Sequence, residues 1–216
     1  MASRSAASSA KNESGSRSPA YLAKNPGGTI PTYEEPDTGF VLGEAHAIMC
    51  YLCNRHGWTD VYPDDPRRRA RVDWYLHYHH RTVREASIGL VAPKIRKDLD
   101  IPDSVQASAQ ATFTRALGAL ERGWLADNDF LTGNTVSLAD FAAYVEIGQT
   151  QPRYTNVRDF ADVPRIERWL GRMSEVAGHD DAHVVLAELG DISRAAPSMD
   201  TIRRANKMAL AALDRA

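Results

Sequence analysis

The hydrophobic and polar positions along this 216-residue chain change rhythm three times. Residues 1–20 have no rhythm at all: seven are Ser, and apart from Met1 none is a large aliphatic or aromatic residue. Such a stretch cannot offset its ordering entropy by burial, so a disordered tail is expected there. From Tyr21 to Leu52 short apolar runs alternate with turn residues. The order is a turn at Asn25-Pro26-Gly27-Gly28, a short strand carrying the Ile30-Pro31 bond, a tight turn, and a second short strand at Phe40-Val41-Leu42. A helix opening on Glu44-Ala45 follows, with Ala47, Ile48, Tyr51 and Leu52 at helical spacing. A proline inside a short strand removes a ladder donor, so it belongs on an edge or in a special bend, often with a cis bond.

Beyond Leu52 the period is helical almost throughout. His56-Gly57-Trp58 stops the first helix, and Tyr62-Pro63-Asp64-Asp65-Pro66 punctuates a linker, which places a domain boundary over residues 59–66. A long helix is predicted from about Arg67 to the Gly89–Pro93 region, with Val72, Tyr75, Leu76, His79 and Val83 on one stripe. The next runs from an N-cap at Asp103 to Trp124, with Val105, Ala109, Phe113, Leu117, Leu120 and Trp124 as its buried face. Ser137-Leu138-Ala139-Asp140 reads as a capping box, with Val136 and Phe141 placed as its hydrophobic staple. Ile166, Trp169, Leu170 and Met173 mark another amphipathic helix, His183 to Leu189 a further one, and Pro197 to Leu213 a terminal one.

Composition narrows the classes. With 43% hydrophobic residues and four Trp the chain can bury a proper core. A formal net charge of -2 gives no reason to expect nucleic acid or an anionic membrane as partner, and the Arg67-Arg68-Arg69-Ala70-Arg71 run reads as an exposed helix start. No apolar stretch approaches a bilayer span. The tail lacks the apolar core of a secretory signal, and two cysteines make no disulfide framework, so a cytoplasmic protein is expected; organelle targeting by the Arg- and Ser-bearing tail is the lesser alternative.

Two strings look like metal or redox chemistry. Cys50-Tyr51-Leu52-Cys53 has C-x-x-C spacing but lies inside a helix, with no second Cys pair, so packed thiols are the better reading. His77 and His80 share a helix side with Asp73, yet Arg81 falls on the same stripe and would repel a cation. No metal site is expected.

Four motifs occur in order: Asn25-Pro26-x-Gly28-x-Ile30-Pro31, the Gly43-Glu44-Ala45 helix start, the Tyr62-Pro63-x-Asp65 linker, and Ser137-Leu138-Ala139-Asp140-Phe141. Over about residues 21 to 214 the chain resembles the glutathione S-transferase family, closest to its theta class. The resemblance implies a mostly α protein. Residues 21–58 would be an incomplete thioredoxin-like (α/β) remnant whose first half is missing, and residues 67–216 the family's all-helical C-terminal domain. A two-strand remnant would leave an exposed sheet edge, and low stability or aggregation is expected from it unless a partner covers it.

The resemblance also implies glutathione as a co-substrate with no bound cofactor, small hydrophobic electrophiles as second substrates, and a homodimer. By the motif match, Thr29, Ile30 and Pro31 form the peptide edge that pairs with the cysteinyl part of glutathione, and Glu44 receives its charged γ-glutamyl end. Ala45 stands where the family carries a hydroxyl. The serine that activates the sulfur in theta-like enzymes would lie upstream of Tyr21, so no catalytic residue is assigned. Tyr78, His79 and Arg84 match the helix that lines the substrate pocket, and Arg81 stands where the family tends to have an acid. The implied activity is attack of the glutathione thiolate on an electrophile, or peroxide reduction, weak or absent in this chain. The competing readings are a non-catalytic binding or scaffold protein and a fragment of an active enzyme.

Overall fold

The computed structural model describes residues 15–96 and 99–213. They fall into two compact units that divide between Tyr62 and Pro63. The first holds α1 (Pro19–Lys24), β1 (Thr32–Glu35), β2 (Phe40–Gly43) and α2 (Ala45–His56). α1 begins inside the stretch expected to be a tail. The Ser18 hydroxyl accepts the Tyr21 N–H at 3.2 Å and Pro19 occupies the first turn, a capping arrangement that needs no apolar residue to start a helix. The rest of that tail, residues 1–14, lies outside the described residues.

β1 and β2 form a two-stranded antiparallel ladder running from Thr32 opposite Gly43 to Glu35 opposite Phe40. Ile30 and Pro31 therefore precede the strand, although the sequence pattern had put them in it, and the bond between them is cis. The strands are tied to α2 through the buried Glu35 carboxylate. Its Oε1 accepts Tyr51 Oη and Arg55 Nη1, both at 2.6 Å, and its Oε2 accepts Thr38 Oγ1 at 3.1 Å. These bonds, the Tyr51 hydroxyl first, hold the carboxyl below its ordinary range against the opposing effect of burial. α2 ends at Gly57, whose φ of 67° lets its N–H close back on Cys53.

The second unit is helical. In order it holds α3 (Pro66–His79), a π-helical turn over Ser87–Val91, α4 (Ala92–Ile95), α5 (Asp103–Ala119), a second π-helical turn over Leu120–Trp124, and α6 (Leu138–Gly148). Then come α7 (Pro164–Ser174), α8 (His179–Ala182), α9 (Val184–Leu189) and α10 (Met199–Leu213). Asp65 caps α3 by accepting the Arg68 N–H at 2.9 Å. The helix expected to continue to residue 89 or beyond stops at His79. Thr82 Oγ1 donates to the Tyr78 carbonyl at 2.6 Å, a local side-chain bond that competes with the helical ladder, and irregular turns lead to the first π-helical turn. Asp103, expected as an N-cap, is instead the first helical residue after an extended Pro102, where its charge still favours the helix N-terminus. At Gly89 the chain passes so close to α5 that a Cβ would lie 2.8 Å from the Gln110 backbone nitrogen, so this crossing requires glycine.

α6 is the most deeply buried helix of this unit, with Leu138, Ala139, Ala142, Ala143, Tyr144 and Ile147 inside. The capping box closes: Asp140 Oδ2 accepts the Ser137 N–H at 2.9 Å and the Ser137 hydroxyl at 2.8 Å. Its Oδ1 accepts the Leu131 N–H at 2.8 Å and the Trp169 indole N–H at 2.9 Å. Burial raises the Asp140 pKa, opposed by these bonds. Glu121 similarly accepts the Arg165 and Ile166 N–H groups, each at 3.0 Å to Oε2, at the start of α7 where Val163 offers no side-chain cap. The hydroxyl of the fully buried Tyr75 has no hydrogen-bond partner among the described residues, and burial pushes its pKa well up.

A stack of rings joins α8 to α6 and to the loop before α7. His179 and His183 stack with centroids 4.3 Å apart, Tyr154 lies near-parallel to His183 at 5.9 Å, and the Tyr154 hydroxyl is 3.4 Å from His179 Nε2. Tyr144 meets both imidazoles edge-on and its hydroxyl lies 2.8 Å from His179 Nε2. Burial is the main reason that the His183 pKa is lowered.

Three outcomes follow from this packing. Asp140→Ala strands four buried donors and removes the box, so urea melts should show a loss of about 3–5 kcal/mol. Tyr75→Phe removes an unsatisfied buried hydroxyl and should raise stability by about 1 kcal/mol in the same melts. Because folding lowers the His183 pKa from 6.5, the stability gained by keeping it neutral is complete above pH 6.5 and is lost as pH falls through the depressed folded value. Thermal midpoints between pH 7.5 and 5.5 should fall in the native protein and fall less in His183→Phe.

Candidate functional site

Antiparallel pairing decides what lies at each end of the β1–β2 ladder. Thr32, the first residue of β1, is opposite Gly43, the last of β2. The segment entering at Thr32 and the segment leaving at Gly43 are therefore neighbours. Thr29, Ile30 and Pro31 enter; Glu44 and Ala45 leave. The five residues proposed from the sequence as glutathione contacts thus sit at one end of one hairpin.

A part-buried network fixes the entering segment. Asn25, which follows α1, gives its Nδ2 to the Thr29 carbonyl and to Thr32 Oγ1, each at 3.0 Å, and its Oδ1 accepts the Gly27 N–H at 3.1 Å. The Tyr21 hydroxyl donates to the same Thr29 carbonyl at 2.6 Å and lies 2.7 Å from Thr32 Oγ1. The turn at Asn25-Pro26-Gly27-Gly28 is thus an anchor for the cis Ile30-Pro31 pair, and it leaves the Ile30 side chain 77% exposed. An exposed backbone edge of this kind can pair with an extended peptide.

The leaving segment is strained. Glu44 has φ 68° and ψ 118°, a left-handed region that a residue with a Cβ occupies only when its surroundings impose it. Its backbone carbonyl nevertheless accepts the Ile48 N–H at 3.0 Å and opens α2, while its side chain makes no cap bond and is exposed. The hairpin end therefore carries both the first N–H groups of α2, donors for a carboxylate, and the exposed acid Glu44, a partner for an ammonium. Ala45 contributes no hydroxyl.

The residues matched to the substrate pocket lie in the helical unit, at the end of α3 and just after it. Tyr78 is half-buried, its ring centroid 6.2 Å from that of Trp124. His79 is buried within the unit, 6.0 Å from the Tyr75 ring. The Arg84 guanidinium is half exposed but one arm is held: Nη1 donates to Glu146 Oε1 at 2.9 Å. Glu146 also accepts Ser87 Oγ at 2.6 Å and Gln149 Nε2 at 3.1 Å, and burial raises its pKa against these partners. Sequence reasoning passed over Glu146. The signal was a single acid in the apolar run Ala142-Ala143-Tyr144-Val145-Glu146-Ile147, where a charge needs a partner. Cys50 and Cys53 both lie in α2, and burial raises the Cys53 pKa, which disfavours a reactive thiolate. No group of three or more metal-ligating side chains converges among the described residues.

Two family models match the chain: the glutathione S-transferase N-terminal domain over residues 8–61 and the glutathione S-transferase C-terminal domain over residues 78–172. The chain is 31% identical to rat glutathione S-transferase theta-1 over 188 residues, covering 83% of this chain and 77% of the relative. It belongs to the glutathione S-transferase family. The human theta-1 enzyme is 30% identical over 190 residues, covering 84% of this chain and 78% of its own. The solved structure of human glutathione transferase theta-2, in complex with glutathione and an unknown ligand, superposes with a TM-score of 0.67 at 26% identity, covering 90% of this chain and 83% of that one. These likenesses place the chain on the theta-like side of the family. They also correct the expectation of a mere remnant: the N-terminal-domain model matches from residue 8, inside the stretch read as a tail.

The strain at Glu44 yields a two-sided outcome. Glu44→Gly should stabilise the fold by about 1 kcal/mol in urea melts, because glycine adopts this φ at no steric cost. It should at the same time weaken retention on immobilised glutathione.

Proposed function

We propose that this glutathione S-transferase chain binds glutathione at the hairpin end formed by Thr29, Ile30, Pro31, Glu44 and Ala45. The observation that carries the reading is the Thr32–Gly43 pairing, which sets a free peptide edge beside the N-terminus of α2. The cysteinyl backbone of glutathione pairs with the Ile30 edge. Its γ-glutamyl carboxylate meets the helix N–H groups, and its ammonium meets Glu44. Small hydrophobic electrophiles are the second substrates, with Tyr78 and Arg84 as the contacts favoured by the motif match and Glu146 behind Arg84. The buried position of His79 argues for a packing role there.

Affinity is low in this reading. A hydroxyl at position 45 would add one hydrogen bond to a carboxylate, and its loss costs about 1–3 kcal/mol, roughly ten- to a hundredfold. Turnover is low as well in this reading, because the motif match assigns no residue of the chain to the hydroxyl that would donate to the glutathione sulfur and favour its thiolate. The theta-like relatives support a homodimer, and cysteine usage supports the cytoplasm. No helix among the described residues is long and apolar enough to cross a membrane.

Retention on immobilised glutathione tests the binding step. The native chain should be retained weakly, and Ala45→Ser should bind about tenfold more tightly by calorimetry. If neither protein is retained, the glutathione site is wrong. Fast conjugation of an aryl halide by the native chain would refute low turnover.

A further inference from the structure

The cavity of about 240 Å³ between α6, α7 and α8 lies wholly within the helical unit and belongs to neither the hairpin end nor the Tyr78–Arg84 segment. Its walls are apolar: Phe141 and Val145 from α6, Met173 from α7, then Val176 and Ala182. Val145 stands at its mouth, 60% exposed on a helix whose other apolar positions are mostly buried. A dry apolar cavity of about 150 Å³ holds a single benzene ring, so this one has room for a fused two-ring molecule. The polar end is the ring stack, where Tyr144, His179 and His183 line it.

Hydrogen bonding at that end leaves one acceptor. His179 is spent on both nitrogens: Nδ1 donates to Asp180 Oδ1 at 2.8 Å and Nε2 pairs with the Tyr144 hydroxyl. His183 is spent on one. Its Nδ1 lies 2.6 Å from the His179 carbonyl oxygen, and a carbonyl only accepts, so Nδ1 carries the proton and Nε2 presents a lone pair. Ring contacts with His179 at 4.3 Å and Tyr154 at 5.9 Å fix the ring plane. The charged and titratable groups around His183 are His179 and Asp180 of α8, Tyr144 of α6, and Arg153 and Tyr154 of the preceding loop, with Arg153 lying 4.9 Å over the Tyr154 ring. Burial, the neighbouring imidazole and Arg153 all favour neutral His183, against the bond to the His179 carbonyl and the Asp180 charge.

We propose that this cavity is a binding site for a small neutral fused-ring aromatic alcohol, whose hydroxyl donates to His183 Nε2 while its rings fill the space lined by Phe141, Val145 and Met173. The site is separate from the glutathione reading and stands whether or not glutathione binds.

Titration of the full chain with 2-naphthol, followed by the ligand's own fluorescence at pH 7.5, tests it against 2-methoxynaphthalene, which has the same rings and no donor. 2-Naphthol should bind saturably and about tenfold more tightly than the ether, one net hydrogen bond. The advantage should vanish in His183→Phe, which keeps an aromatic ring in the stack, and should shrink as pH falls through the depressed His183 value, because a protonated imidazole no longer accepts. Val145→Arg, at an exposed position, should fill the mouth and weaken both ligands with the circular dichroism unchanged. Equal affinity for alcohol and ether overturns the assignment of His183. Absence of saturable binding, or binding untouched by Val145→Arg, overturns the site. Should His183→Phe fail to fold, the ether comparison and the pH arm decide alone.

Discussion

Everything in the helical unit is arranged around one buried carboxylate. Asp140 has no exposed surface and takes four hydrogen bonds from three places: the start of its own helix, the backbone at Leu131 and the indole of Trp169. A carboxylate in a low-dielectric interior is costly without partners and tolerable with a full set. Burying α6 by its apolar positions therefore also dictates where the 131 loop and α7 must lie. Once they are placed, α6 can present Glu146 to Arg84 and Tyr144 to the stacked imidazoles.

The same logic recurs on a smaller scale. Glu35 gathers Tyr51, Arg55 and Thr38 and so ties a hairpin to a helix; Glu121 gathers the first N–H groups of α7. Apolar burial supplies the driving force in each case but has no direction. The acids supply the direction, because a rotated or shifted neighbour would leave a charge unpaired. Such groups add little net stability over an apolar replacement, yet they penalise wrong arrangements heavily.

What could be read from the sequence was what is encoded within a few residues. The Ser137–Asp140 box, the stop at Gly57 and the turn at Asn25–Gly28 are local devices, and each is present in the fold. Position 45 could be seen to lack a hydroxyl for the same reason. The end of α3 was missed because Thr82, a plausible helix residue, turns its hydroxyl back on Tyr78. The partners of Glu146 and Glu121 lie 62 and 44 residues away in the chain, and no spacing rule joins them. The helix start at Ser18-Pro19 was visible in principle but hidden by the serine-rich stretch around it. His179 and His183 stand four apart, yet what makes them distinctive is Tyr144 and Tyr154, which arrive from elsewhere.

The hairpin register has a consequence for how this protein can change over time. Residues 36–39 form the turn at the far end of the ladder, away from Ile30 and Glu44. Strand residues advance about 3.3 Å each, so one residue inserted in that turn, if not absorbed as a bulge, slides the peptide edge past the helix start by that distance. The slip would also turn Tyr33 and Glu35 to the opposite face. The length of a remote, exposed turn is thus a hidden ruler for the ligand site, and insertions there should be as damaging as substitutions at the site itself.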